Sequence, residues 1–318
     1  DRRGQFCADD QWGGPMKLSP IGIYARGVAM GAADVVPGVS GGTVALITGI
    51  YARLLGALVN IDKQAVVLLF SGRWRALWYR LDGPFLAWLF AGILTAIFSL
   101  ASAIHWLLLH YPQPLWSFFS GLILISGALL LRSEVSLDRW SRVGFFASGC
   151  ALAVAISLAP PIPFSASLLG FFIAGTIAIC AMILPGISGS FMLVLLGMYG
   201  PVLGAVKGLQ FAELSVFALG CAVGLITFAR ILNFLLLRAR VAMMAFLSGV
   251  LLGSLSAVWP WQITVLVDSM DGPVELTRPV LPFNPLLIDP QILLCSATFA
   301  LGLILVWSIT ALAGREAS

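Results

Sequence analysis

Six times along this chain an apolar run recurs that is long enough to cross about 30 Å of hydrocarbon, at residues 85–109, 115–131, 143–159, 211–237, 241–258 and 291–312. A segment immersed in lipid must satisfy its backbone groups internally, which leaves helices or a closed barrel. No alternating pattern of about ten residues repeats between turns, as barrel strands would need, so the runs are read as helices. Charge content agrees. Only 10% of the 318 residues are charged and 60% are hydrophobic, with a mean hydropathy of +1.01, whereas a soluble domain is roughly 25% charged. The net charge of +4 does not point to nucleic acid, because the basic residues flank apolar runs rather than forming a soluble patch. The five cysteines, Cys7, Cys150, Cys180, Cys221 and Cys295, show no metal-ligand spacing, and neither a metal nor a cofactor is expected. Residues 1–19 carry charge, glycine and proline without a signal-peptide core, and read as a cytoplasmic tail truncated before its initiator Met.

The chain also repeats. Pro37-Gly38-Val39-Ser40-Gly41, followed by Gly49-Ile50-Tyr51, returns as Pro185-Gly186-Ile187-Ser188-Gly189 with Gly197-Met198-Tyr199, a constant offset of 148 from position 37 to 185. Gly92 pairs with Gly220, and Phe118-Phe119-Ser120-Gly121 with Phe246-Leu247-Ser248-Gly249, at an offset of 128 from position 92 to 220. The shortfall of 20 falls on the stretch 60–83, read as polar, whose counterpart near 207–210 is brief. Each half opens with two helical arms around its motif, 20–36 with 41–59 and 165–184 with 189–206, and continues with three spans. An odd number of crossings per half turns the second half over relative to the first. The expected fold is an all-α integral membrane protein, an inverted-topology repeat with two re-entrant helical hairpins and about six transmembrane helices. Its expected units are the tail 1–19, a first repeat 20–159, and a second repeat 160–314 that includes an outer loop 259–290.

Loop charge supports this orientation. With both termini cytoplasmic, that side holds Arg2, Arg3, Lys17, Lys63, Arg73, Arg75, Arg80, Arg132, Arg139, Arg142, Arg238, Arg240 and Arg315, and the other side holds Lys207 and Arg278. The outer loop is acidic and proline-broken, with Asp268, Asp271, Glu275 and Asp289.

Pro-Gly at membrane depth breaks a helix and frees backbone groups, tolerated only against protein or a polar cavity. Ser40 and Ser188 stand where an N-cap would, ahead of apolar helices opening at Gly41 and Gly189. A helix N-terminus there offers orphan donors and about half a positive charge, which suits phosphate or carboxylate. The expected anion site therefore comprises Pro37, Gly38, Ser40, Gly41, Gly42 and Thr43 with Pro185, Gly186, Ser188, Gly189 and Ser190, two tips meeting near the midplane. The plainer alternative is that these small residues let helices pack closely. Arg26, Asp34, Arg53 and Arg230 are ionisable groups at membrane depth, where such groups are costly. Arg26 and Arg230 join the expected anion contacts, with snorkelling to the interface as the alternative for Arg230, while Arg53 reads as an interface anchor. Arg26 precedes Asp34 by eight residues, which sets them about 80° apart around a helix, so an ion pair between them is not assured. Asp34 has Met182 at the equivalent repeat position and reads either as a group that caps or pairs within the arm or as a proton-coupling group.

The run from Met30 through Asp34 to Thr43, then Gly49-Ile50-Tyr51, and the second run from Ala181 to Ser190 resemble the bacterial polyprenyl-phosphate transporter family called PopT. The resemblance extends from about Pro20 to the last span. It implies return of undecaprenyl phosphate, the carrier lipid of cell-wall synthesis, from the outer to the inner leaflet of the cytoplasmic (inner) membrane. Its partners would be that lipid and the surrounding membrane lipids, with proton coupling and homo-oligomerisation left open and no nucleic acid. Arg230 stands where the family more often has lysine, which keeps the charge but changes its geometry. Two rivals remain: a membrane phosphatase acting on the corresponding pyrophosphate, which would need an acid or histidine beside the serines, and a small-anion channel, which would need a continuous pore.

Overall fold

The computed structural model describes residues 19–35, 40–135, 139–162, 164–269, 272–282 and 291–316. Pro37 and Gly38, residues 1–18 of the expected tail, and Asp271 and Asp289 of the outer loop lie outside them, as do the side chains of Asp268 and Glu275. The described chain is helical apart from one β-hairpin.

The first half contains α1 (Pro20–Asp34), α2 (Gly41–Ile47), α3 (Tyr51–Val59), α4 (Lys63–Phe70), α5 (Trp74–Arg80), α6 (Gly83–His110), α7 (Pro112–Glu134) and α8 (Trp140–Leu158). The second contains α9 (Leu168–Ile183), α10 (Gly189–Leu195), α11 (Tyr199–Lys207), α12 (Phe211–Arg238), α13 (Arg240–Gly253), β1 (Gln262–Ser269), β2 (Gly272–Pro279) and α14 (Ile292–Glu316). Each expected apolar run is a helix. Among the described residues α6, α7, α8 and α12 are individually long and apolar enough to cross a membrane, and α9, α13 and the first part of α14 are shorter apolar helices.

The same local devices set the boundaries in both halves. Ser19 caps α1 by accepting from the Gly22 N–H (3.1 Å), and Ser167 caps α9 by accepting from the Gly170 N–H (3.2 Å). The second arm of each hairpin, expected as one continuous helix, is broken. α2 and α3 meet at 115°, and α10 and α11 at 109°. The reason is a left-handed glycine at each break, Gly49 with φ 74° and Gly197 with φ 65°. Around Gly49 its own N–H reaches the Leu46 carbonyl and the Ile50 N–H the Ala45 carbonyl. Gly197 and Met198 do the same toward Val194 and Leu193, so α2 and α10 each end in a Schellman motif.

Two further segments depart from expectation. The stretch 60–83, read as polar, folds into α4 and α5, because Asp62 caps the Ala65 N–H (2.9 Å) and an apolar run follows it. The outer loop 259–290 contains an antiparallel pair, with Gln262 opposite Pro279 and Ser269 opposite Gly272. Its runs are rich in β-branched residues, with Thr264 opposite Thr277 and Val267 opposite Val274, which favour strand over loop.

Helix packing relates the halves. α1 lies along α6 and α9 along α12, while α7 lies along α14 and α8 along α13. Paired glycines allow each approach. A Cβ at Gly27 would collide with the Leu89 carbonyl and one at Gly92 with the Tyr24 carbonyl; the equivalents are Gly175 on Phe217 and Gly220 on Phe172. Gly121 meets the Phe299 carbonyl and Gly302 that of Phe118, matched by Gly249 on Phe146 and Gly149 on Phe246. The mapping that sends α7 to α13 also sends α14 back to α8. An operation that exchanges the halves in this way is an approximate two-fold, and it interlocks them around a core that includes Phe85, Leu89, Ile123, Leu232, Leu247 and Leu251.

Candidate functional site

The two broken hairpins touch each other directly. Ser40 is buried, and its hydroxyl accepts from the Gly42 N–H (3.1 Å) while facing the Met182 and Leu184 carbonyls at 3.2 and 3.4 Å as their donor. Thr43, also buried, accepts from the Gly186 N–H at 2.8 Å. The Tyr51 hydroxyl donates to the Ile183 carbonyl at 2.9 Å. Apart from the Gly42–Ser40 bond, each of these joins the first tip to the backbone that the Pro185-Gly186 break exposes in the second, so freed groups are paired across the repeat. Gly186 needs its left-handed φ of 87° for that turn. Gly42 has no room for a side chain, because a Cβ would stand 2.9 Å from the Met182 carbonyl oxygen.

The tips are unequal where ionic chemistry matters. The Asp34 carboxylate accepts from the Gly41 N–H at 2.7 Å, so an internal anion sits on the first turn of α2, and the Gly42 N–H is held by Ser40. At the second tip Met182 replaces that carboxylate and packs over Gly189. The Ser188 and Ser190 hydroxyls pair at 2.8 Å, and among the described residues the N–H groups of Gly189, Ser190 and Phe191 have no acceptor. A small pocket borders this tip, lined by Gly186, Ser188, Phe191, Ser157 and Ser254, with room for about one water. Ser157 and Ser256 contact each other beside it at 2.5 Å.

Of the expected site residues, the structure brings Asp34, Ser40, Gly41, Gly42 and Thr43 together with Pro185, Gly186, Ser188, Gly189 and Ser190. It places the two arginines elsewhere. Arg26 donates to the Thr48 carbonyl (3.3 Å) and the Gly22 carbonyl (3.0 Å), tying α1 to the end of α2. In the second half the backbone N–H groups of Ile162 and Phe164 do that work on Leu195 and Leu196. Arg230 is exposed and donates to the Ile61 carbonyl at 2.9 Å. Arg53 forms a bidentate pair with Asp82, at 2.6 and 3.1 Å, and covers the Phe85 ring.

Three contributors were not singled out from sequence: Tyr51, Ser157 and Ser254. Tyr51 stood in the duplicated motif without a role. Ser254 carried a usable signal, because Ser126 occupies its equivalent position and both are buried.

Comparison with known proteins adds independent information. Residues 30–272 match the model of a family described as undecaprenyl phosphate translocase-like. A polyprenyl-phosphate transporter of Vibrio cholerae is 46% identical over 248 residues, covering 78% of this chain and 80% of that protein. A polyprenyl-phosphate transporter of Staphylococcus aureus is 34% identical over 277 residues, 79% of this chain and 93% of its own. No solved structure matches the chain at a significant level.

Proposed function

This chain belongs to the undecaprenyl phosphate translocase-like family, and on that premise we propose that it transports polyprenyl phosphate, returning undecaprenyl phosphate from the outer to the inner leaflet of the bacterial cytoplasmic membrane for reuse in cell-wall synthesis. The observation that carries the reading is the junction of the two tips, where Ser40, Thr43 and Tyr51 bond the backbone at 182–186. Two re-entrant elements that meet inside a membrane protein provide polar groups at depth without an aqueous domain. That suits a substrate whose isoprenoid tail stays in lipid while only its phosphate needs a polar path.

In this reading the phosphate is held at the second tip by Ser188, Ser190 and the open N–H groups behind them, and at the first tip only when Asp34 gives way. Asp34 occupies the position an anion would take on α2, so it and the phosphate compete. Protonation of Asp34 would weaken its hold on Gly41, which makes it the candidate for coupling to a proton gradient. An anion moving inward opposes an inside-negative potential by about 2.3 kcal/mol per charge per 100 mV, and a co-moving proton offsets that. Arg26 and Arg230 supply positive charge along the cytoplasmic part of the path, with both termini on that side and the halves inverted. A serine-nucleophile enzyme is the weaker reading: the Ser40 hydroxyl is directed at main-chain carbonyls, and Ser188 pairs with Ser190 rather than a base.

Binding of a short-chain polyprenyl phosphate tests the site. Replacing Ser188 and Ser190 together by Ala should weaken it about tenfold, and Arg230→Ala, which takes a positive charge off the proposed path, should weaken it about ten- to a hundredfold, the range a charge-assisted contact of roughly 1.5–3 kcal/mol would supply there. Wild-type affinity in the serine pair would move the phosphate away from the tips. Wild-type affinity in Arg230→Ala would confine that residue to its bond with Ile61.

A further inference from the structure

The excursion from 60 to 82 has no counterpart in the second half, and neither contact across the tips nor the helix pairing uses it. Its base is clasped. Asp62 receives Arg80 at 3.2 and 2.5 Å, the Asn60 amide donates to the Arg80 carbonyl at 2.9 Å, Arg53 holds Asp82, and Arg230 holds Ile61. Beyond the clasp, α4 and α5 are exposed on nearly every side. Phe70 is 85% exposed, Tyr79 75% and Trp74 63%. The face of α4 that carries Lys63, Gln64, Val67 and Leu68 is open to its surroundings.

A helix as apolar as α4 is normally covered, yet at eight residues it is about 12 Å long and far too short to cross a bilayer. Its cover must therefore lie alongside it. Charge identifies the cover. Arg80 and Arg53 are neutralised by Asp62 and Asp82, whereas Lys63, Arg73 and Arg75 have no acidic partner among the described residues. Three uncompensated cations interleaved with Phe, Trp and Tyr are the composition of an interfacial segment, with aromatic rings at headgroup depth and cations on phosphates. A second copy related by a two-fold would set the same cations against each other, so charge disfavours that occupant.

We propose that residues 60–82 form a foot that docks on the anionic phospholipid surface of the leaflet it faces, with Lys63, Arg73 and Arg75 on the lipid phosphates and Phe70, Trp74 and Tyr79 in the acyl boundary. The clasp preorganises the foot, so docking orders little new chain. Because the base is bonded to α3 and α12, the foot also fixes how deep the first hairpin sits. This surface is separate from the tips and stands whether or not they bind phosphate.

The test uses the full chain with its five cysteines replaced and a single cysteine at position 70 carrying an environment-sensitive fluorophore. The protein is placed one copy per nanodisc, in phosphatidylcholine alone or mixed with phosphatidylglycerol, each with a lipid bearing a quencher near the headgroup. Quenching should be strong in the anionic discs and should fall in neutral discs, in high salt, and in the Lys63→Gln, Arg73→Gln, Arg75→Gln variant. Each cation is worth on the order of fivefold in partitioning to such a surface. Equal quenching in neutral and anionic discs would overturn the anionic-lipid assignment. A label that no lipid quenches would overturn docking altogether, and if the same label became buried only in discs holding two copies, the occupant would be a second chain.

Discussion

The Thr43 hydroxyl is the acceptor for the Gly186 N–H, and both groups are buried. Thr43→Val keeps the shape and removes the acceptor, leaving that N–H unpaired at a cost of about 1–3 kcal/mol. We expect a lower unfolding temperature in detergent for Thr43→Val and near wild-type behaviour for Thr43→Ser; equal stability of all three would mean that the bond contributes nothing. Asp34 calls for a functional readout, because Asp34→Asn retains an oxygen for Gly41 while removing the charge. If Asp34 couples transport to protons, the reconstituted Asn variant should transport without responding to an imposed pH gradient. A response as large as that of the unmodified protein would assign Asp34 to structure alone. At this scale the duplicated motif was legible because proline, glycine and serine each have a narrow backbone role. The bond from Asp34 to Gly41 was not, since it closes over the turn between α1 and α2 and depends on where that turn points. The remote partners of Arg26 and Arg230 were equally hidden, because a long side chain's reach does not disclose which carbonyl it meets.

Elements show the repeat more plainly than residues do. Gly92 and Gly220 occupy equivalent crossings, each with a Cβ position blocked by a carbonyl of the facing helix. Alanine at either should destabilise by a similar amount, about 1–3 kcal/mol from overpacking, as read by thermal unfolding; a cost at one position only would contradict the two-fold relation. The clasp at the base of α4 and α5 predicts a pH effect. Hydrogen bonding from Arg80 holds the Asp62 carboxyl below its ordinary value. Its contribution is therefore present above the unfolded-state value of about 3.9 and is lost as pH falls through the lower folded-state value. Amide exchange at 60–82, corrected for intrinsic rate, should stay flat from neutrality down to about pH 4 and rise below it, and Asp62→Asn should erase that step; a step unchanged in the Asn variant would place the titration elsewhere. The apolar runs were legible as helices because length and hydropathy suffice for that. The breaks after Ile47 and Leu195 were not, because a single glycine inside an apolar run is ordinary until its φ is known. α4 and α5 were masked by the charges around them, and β1 and β2 by the prolines and acids of their loop.

For the whole molecule, the two halves are joined both through the touching tips and through the packing of α7 on α14 and α8 on α13, and the proposed inversion makes a directional prediction. A cysteine at Gln64, in protein otherwise free of cysteine, should react with an impermeant reagent only when that reagent reaches the cytoplasmic face. Labelling from outside intact cells would invert the topology. The repeat was legible from the matched offsets. The packing of α7 on α14 and of α8 on α13 was not, because sequence similarity relates residues to their equivalents rather than to their neighbours. The central claim is that this body carries a polyprenyl phosphate between leaflets, and leaflet-resolved accessibility tests it most directly. Proteoliposomes containing radiolabelled undecaprenyl phosphate are given a soluble, impermeant phosphatase from outside, and released phosphate is followed in time. The account predicts that protein-containing vesicles release phosphate from both leaflets only when the phosphatase is added, whereas protein-free vesicles stop once the outer pool is consumed. Release that stops at the outer pool with the protein present, or that begins before any phosphatase is added, would contradict it.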